Sequence, residues 1–177
     1  MTGIIYVAPL NGYKPPGGDS LMRSLAESLP SRLEAHPVSF DLAAYYSRER
    51  GQYNATLILA HLLRHLPEPE AKIVGLTDVD FFIPVLTFVF GQAQLSGPCA
   101  VVSTHRLRNE YYGLPASESL LHARTVKEIV HELGHTFGLV HCGDYSCVMH
   151  ASTYVEEVDL KGARFCRACA AELGSTT

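Results

Sequence analysis

The sequence predicts an α/β (α+β) fold, a twisted mixed sheet with helices packed on it, and three observations predict it. Short β-rich runs alternate with helical stretches along the first part of the chain. One long amphipathic helix follows the last strand, and beyond it residues 139–177 carry four cysteines but little secondary-structure signal.

Gly3 to Ala8 is β-rich and stops at Pro9, so it reads as a first strand. The Asn11–Asp19 segment, with Pro15-Pro16-Gly17-Gly18, is a loop. Asp19 or Ser20 can cap a helix whose apolar positions Leu21, Leu25, Leu29 and Leu33 recur at helical spacing, with Pro30 ending or bending it. Pro37 to Leu42 suggests a second strand. Asn54 to Leu66 is helical, with Leu57, Ile58, His61, Leu62 and His65 along one stripe. Lys72 to Leu76 is a short buried strand, and further strands are expected at Leu86–Phe90 and Pro98–Thr104. In the long helix Thr125 and Glu128 have capping-box spacing, Val126, Ile129, Val130, Leu133 and Phe137 form the core face, and Gly138 offers a stop.

With 177 residues, 47% apolar and 18% charged, the chain suits one globular domain with a sizeable core. A formal net charge of −4 provides no basic field, which argues against a nucleic-acid partner. No run approaches the roughly 20 apolar residues of a membrane span, so no membrane partner is expected. Met1 to Leu10 lacks a cationic start and resembles a strand more than a signal peptide, so the expected location is cytoplasmic. In a reducing compartment, clustered Cys142, Cys147, Cys166 and Cys169 read as metal ligands more readily than as disulfides. Cys99 stands apart in an apolar run and reads as a buried strand thiol.

The chemistry is concentrated in His131-Glu132-Leu133-Gly134-His135-Thr136-Phe137-Gly138-Leu139-Val140-His141, the pattern HExxHxxGxxH. At about 100° per residue, His131 and His135 lie one turn apart on one helix face, within reach of one ion. Glu132 projects beside that ion and suits a base acting on water. His141 would stand about 15 Å farther along if the helix continued, so the chain must turn back, and Gly138 can take the left-handed conformation that such a break needs. Three neutral histidines leave one position of a tetrahedral zinc open, the layout of a catalytic site. Four thiolates would fill all four positions of a second zinc and leave no room for substrate.

This extended motif, followed by Met149, resembles the metzincin metallopeptidases, and Cys142-x4-Cys147-x-Met149 with Cys166-x2-Cys169 resembles their archaemetzincin branch. The stretches Leu76–Asp80, Phe88–Gly91 and Val101–Ser103 are also similar to that family. The resemblance implies a single metzincin-like catalytic domain over residues 1–177. Its N-terminal subdomain, 1–138, would include the active-site helix, and residues 139–177 would form a small zinc-stabilised C-terminal subdomain. It further implies two zinc ions per chain, a catalytic one on His131, His135 and His141 and a structural one on Cys142, Cys147, Cys166 and Cys169. Glu132 would be the general base and Met149 the Met-turn beneath the zinc. Some metzincins carry a tyrosine two residues after the methionine; here that position is Ala151.

Other candidates have plainer readings. His61 and His65 are four apart on a helix but lack a third ligand. His150 has a local structural role in view, because three histidines already serve the zinc. Tyr111 and Tyr112 precede the active helix and are within its neighbourhood as possible electrophiles. The strand near Pro98–Thr104 is expected to edge the cleft and pair with an extended peptide. The sequence thus supports a zinc metallopeptidase acting on a peptide or protein substrate. Its alternatives are a silent zinc-stabilised scaffold and a zinc hydrolase of a non-peptide amide. Oligomeric state and cleavage specificity are not legible.

Overall fold

A computed structural model describes residues 3–175. The chain forms β1 (Ile4–Pro9), α1 (Asp19–Ser28), β2 (Arg32–Ala35), β3 (Tyr46–Ser47), β4 (Gln52–Asn54), α2 (Ala55–Leu62), β5 (Lys72–Thr77), β6 (Phe81–Ile83), β7 (Leu86–Val89), β8 (Gly91–Ala93) and β9 (Cys99–Ser103). The long helix α3 (Glu118–Thr136) follows, then α4 (Val155–Leu160) and α5 (Arg167–Ser175). The main sheet has the order β2-β1-β5-β9-β8; β8 runs antiparallel to β9 at the edge, and every other pair is parallel. A smaller sheet, β3-β4-β6-β7, is built from the segment between β2 and β5 together with the segment between β5 and β8. The mixed α/β fold class therefore holds.

Successive side chains of a strand face opposite sides, and that alternation divides the core. Ile5, Val7, Val74, Leu76, Ala100 and Val102 point to one face, where α1 and α3 cover them. Tyr6, Ala8, Ile73, Cys99 and Val101 point to the other, under α2. Val126, Ile129, Val130 and Leu133 form the buried stripe of α3, as their spacing predicts. Truncating fully buried Leu133 to alanine would cost about 2–5 kcal/mol. Leu139, Cys147, Val148, Met149, Cys169 and Leu173 join the same core cluster, so the cysteine-bearing segment packs on the helix that precedes it.

Several local expectations are corrected. α3 starts at Glu118 with Ser117 as its cap, accepting from the Leu120 amide; Thr125 lies mid-helix, where its hydroxyl bonds back to the Leu121 carbonyl. α1 is preceded by Gly18, not capped by Asp19 or Ser20, and Leu33 belongs to β2 instead of the helix. The second strand is Arg32–Ala35; of the Pro37–Leu42 run only Val38 makes a bridge, to Leu10. Its parallel pairing with β1 outweighs the weak β-propensity of Arg-Leu-Glu-Ala. Residues 99–103 form an interior strand, and it is β8 that supplies the exposed edge. Among the described residues, no helix is long and apolar enough to cross a membrane.

Candidate metal centres and active-site cleft

α3 ends where the sequence demands a break. Gly138 has φ of 96° and its amide bonds to the His135 carbonyl, turning the chain back. The reversal brings His141 to the two helix histidines, with ring centroids 5.3 Å from His131 and 4.9 Å from His135. One ligand atom from each of the three lies within 4.8 Å of the others.

The hydrogen bonds behind these rings decide what they offer. His131 Nδ1 is 2.8 Å from the Val148 carbonyl and His135 Nδ1 is 2.7 Å from the Leu139 carbonyl. A carbonyl only accepts, so each Nδ1 carries the ring proton and each Nε2 keeps its lone pair. Those two Nε2 atoms face one another at 3.1 Å, an arrangement that is repulsive until a cation stands between them. The spacing is close to the roughly 3.3 Å edge of a tetrahedron with Zn–N bonds of about 2.0–2.1 Å. Burial holds His131 well below the usual imidazole range, aided by the Lys161 ammonium, and it lowers His135 and His141 as well. All three are kept in the neutral form that binds metal. The donor set fits zinc.

Glu132 is buried beside these rings, and its carboxyl is pushed well above the usual range by desolvation and then by Glu128. Its carboxylate lies over Gly91 of β8. Both border a cleft of about 700 Å³ that also takes in His131, His135, His141, Glu128 and Arg106. Leu86 and Tyr154 lie along its rim, half or more exposed. Arg106 is fixed there by paired bonds to Asp80 at 2.6 and 2.7 Å and by the Phe88 ring at 4.3 Å.

The four cysteines also converge, with all four sulfurs within 4.8 Å of one another. Cys142–Cys166 and Cys147–Cys169 are each 3.8 Å apart, far beyond the roughly 2.05 Å of a disulfide. That separation equals the edge, about 3.8 Å, of a tetrahedron with Zn–S bonds of about 2.3 Å. Amides of Asp144, Met149 and Cys166 donate to the sulfurs of Cys142 and Cys147. The Cys169 amide lowers the Cys166 thiol to about 7, whereas burial raises Cys147 and Cys169. Thiolates gathered in such a site call for a cation, and this set also fits zinc.

Met149 is fully buried and packs against Gly134 of α3. The weaker candidates keep their plainer readings. His61 and His65 stack on Phe40, and His150 bonds through Nδ1 to the Cys142 carbonyl. Cys99 points its thiol at the Leu59 carbonyl inside the core. Tyr111 and Tyr112 are not among the cleft residues: Tyr111 packs on Arg106, and the Tyr112 hydroxyl donates to the Arg106 carbonyl. Sequence reasoning missed Gly91, Gly134, Glu128 and Lys161. Lys161, fully buried beside His131, is a charged residue in a segment whose other signals concern cysteines, and no spacing marks it.

Comparison with known proteins agrees with this geometry. The model of Peptidase family M54 matches residues 37–175. A protein of Methanocaldococcus jannaschii named Archaemetzincin is 45% identical over 134 residues, covering 75% of this chain and 73% of that protein. The Archaeoglobus fulgidus Archaemetzincin is 39% identical over 173 residues, covering 96% and 98%. The crystal structure of Archaemetzincin from Methanopyrus kandleri superposes with a TM-score of 0.84 at 36% identity, covering 98% of this chain and 95% of that one. Shared sequence along nearly the whole chain, shared fold and a histidine set suited to zinc lead to one conclusion: the chain belongs to peptidase family M54, the archaemetzincin branch of the zinc metallopeptidases.

Proposed function

We propose that this metallopeptidase cleaves peptide bonds with Glu132 as general base, His131, His135 and His141 as ligands of a catalytic zinc, and Cys142, Cys147, Cys166 and Cys169 as ligands of a second, structural zinc. The observation that carries the reading is the burial of the Glu132 carboxylate in the cleft beside two facing imidazole lone pairs. Zinc in the histidine centre supplies the positive charge that acidifies water and polarises a scissile carbonyl.

The protein's own groups do the rest. Glu132 takes the proton of the attacking water on its carboxylate and returns it to the leaving amine nitrogen. Desolvation raises the proton affinity of that carboxylate, which suits the first half of the transfer. The free edge of β8 (Gly91–Ala93) borders the cleft and offers main-chain groups to an extended peptide. Met149 supports the metal centre from below. Residues 139–177 act as a C-terminal subdomain of one catalytic domain, with 1–138 as its N-terminal part, and the thiolate centre pins it to α3.

A peptide library, run beside a panel of small amides, tests this with Glu132→Gln as control. The variant should hold its zinc and lose peptide cleavage. A Gln variant that still turns over would remove Glu132 from the role, and cleavage of small amides alone would remove the peptide reading.

A further inference from the structure

Behind His131 stands a buried ion pair that the hydrolysis does not use. Lys161 follows α4, and its side chain is 0% exposed against a Glu128 side chain that is 4% exposed. Nζ lies 3.0 Å from Glu128 Oε1, off the line of a well-directed hydrogen bond, so the contact is chiefly coulombic. The same ammonium donates to the His150 carbonyl at 3.3 Å and stands 3.5 Å from His131 Nδ1.

That last distance matters because of what His131 must present. Its Nδ1 proton goes to the Val148 carbonyl, which leaves Nε2 free to face His135. An ammonium, like an N–H, can only donate. If Nζ moved onto Nδ1 it would need a lone pair there, the ring proton would pass to Nε2, and His131 would offer a cation nothing. An uncompensated ammonium so close would also repel the incoming dication. Glu128 opposes both effects: it holds Nζ by charge, one helical turn before His131, while the His150 carbonyl accepts from the same ammonium at 3.3 Å.

We propose that Glu128 is a positioning residue for the catalytic metal: by retaining Lys161 it keeps His131 in the tautomer that presents Nε2. This rests on the metallopeptidase reading only in placing zinc at the histidines, and its test reads metal affinity without turnover.

The test uses the full chain, with zinc affinity measured by chelator competition. Cobalt substitution separates the histidine centre from the thiolate centre by their absorption, and long-range proton–nitrogen NMR on the zinc-free protein reports the His131 tautomer. Glu128→Gln should weaken zinc at the histidine centre by about 10–100-fold and move the His131 proton toward Nε2. Lys161→Met should leave affinity within about tenfold of the native protein, because the competing donor is gone. The double variant should bind more tightly than Glu128→Gln alone. Native affinity in Glu128→Gln, a loss of about tenfold or more in Lys161→Met, or a double variant no tighter than Glu128→Gln would each overturn the proposal. If Glu128→Gln does not fold, Lys161→Met and the double variant decide by that same threshold.

Discussion

Gly91 on β8 makes room for the carboxylate of Glu132 on α3. A Cβ built at position 91 would stand 2.8 Å from Glu132 Oε1, 2.7 Å from its Cγ and 2.8 Å from the Val101 carbonyl oxygen. The strand that edges the cleft therefore approaches the Glu132 side chain at main-chain distance, and only glycine permits it. Position 91 is fixed by contact with the site, not by a turn, since its φ is not positive.

Gly91→Ala should consequently act on catalysis more than on metal content. Glu132 must shift, and a displacement on the order of 1 Å at a reacting group costs about 10²-fold in rate. The expected result is a kcat about a hundredfold lower, with zinc content unchanged, read by steady-state kinetics and metal analysis on the same sample. An alanine variant with native kcat would show that Glu132 has another place to stand.

Gly134 makes the matching allowance on the other side of the helix. A Cβ there would overlap the Met149 sulfur and come within 3.1 Å of the Phe165 ring. Alanine favours a helix over glycine by about 1 kcal/mol, whereas overpacking a filled core costs about 1–3 kcal/mol. Met149 is 0% exposed and has no solvent to move into, so the clash should win. Gly134→Ala is expected to lower stability by up to about 2 kcal/mol in urea unfolding of the zinc-loaded protein. A more stable variant would mean that Met149 repacks freely.

These two glycines mark the limit of what the sequence discloses. The histidine set was readable because helical spacing alone puts His131 and His135 on one face, and Gly138 announces the turn that returns His141. β1, β5 and β9 were readable as strands because both of their faces are covered, which leaves short and nearly continuous apolar runs in the sequence. The start of α3 was not: Thr125 and Glu128 have cap spacing, but the apolar stripe is extended upstream by polar turns that Ser117 begins. β2 was missed because Arg32–Ala35 owes its conformation to pairing with β1. Gly91, Glu128 and Lys161 owe their roles to neighbours distant in the chain, so no local pattern records them.

His61 predicts an acid sensitivity remote from the metal centres. It packs on Phe40 at 4.3 Å and bonds the Tyr45 hydroxyl through Nδ1. Desolvation, Arg64 and His65 lower its proton affinity below the ordinary value. The unfolded chain then binds more protons than the native one below about pH 6.5. Stability from this group is present above that pH, and it is lost as the pH falls from about 6.5 toward the depressed native value. His61→Phe keeps a ring without the proton, so the urea midpoint should fall less between about pH 7.5 and 5.5 than in the native protein. An equal fall in both would remove His61 from the acid response.

Cys166→Ser tests whether the two centres are one mechanical unit. Cys142 follows His141 directly, and its amide bonds the Met149 carbonyl at 3.0 Å. Val148, between Cys147 and Met149, accepts the Nδ1 proton of His131. A zinc held by the four proposed cysteine ligands would thus fix both the chain that delivers His141 and the carbonyl that accepts from His131 Nδ1. Zinc in a four-cysteine site is worth on the order of 10 kcal/mol in small domains, comparable to the whole stability of a typical fold. Removing one of its ligands should therefore loosen the segment beyond Leu139. His141 is the exposed member of the histidine set and is not on α3, so it should leave first. The variant is expected to lose the second zinc, to weaken zinc at the histidine centre at least about tenfold, and to be cut between Leu139 and Arg167 by limited proteolysis. Two retained zinc ions with native melting and protease resistance would show that His141 is held without the cysteines.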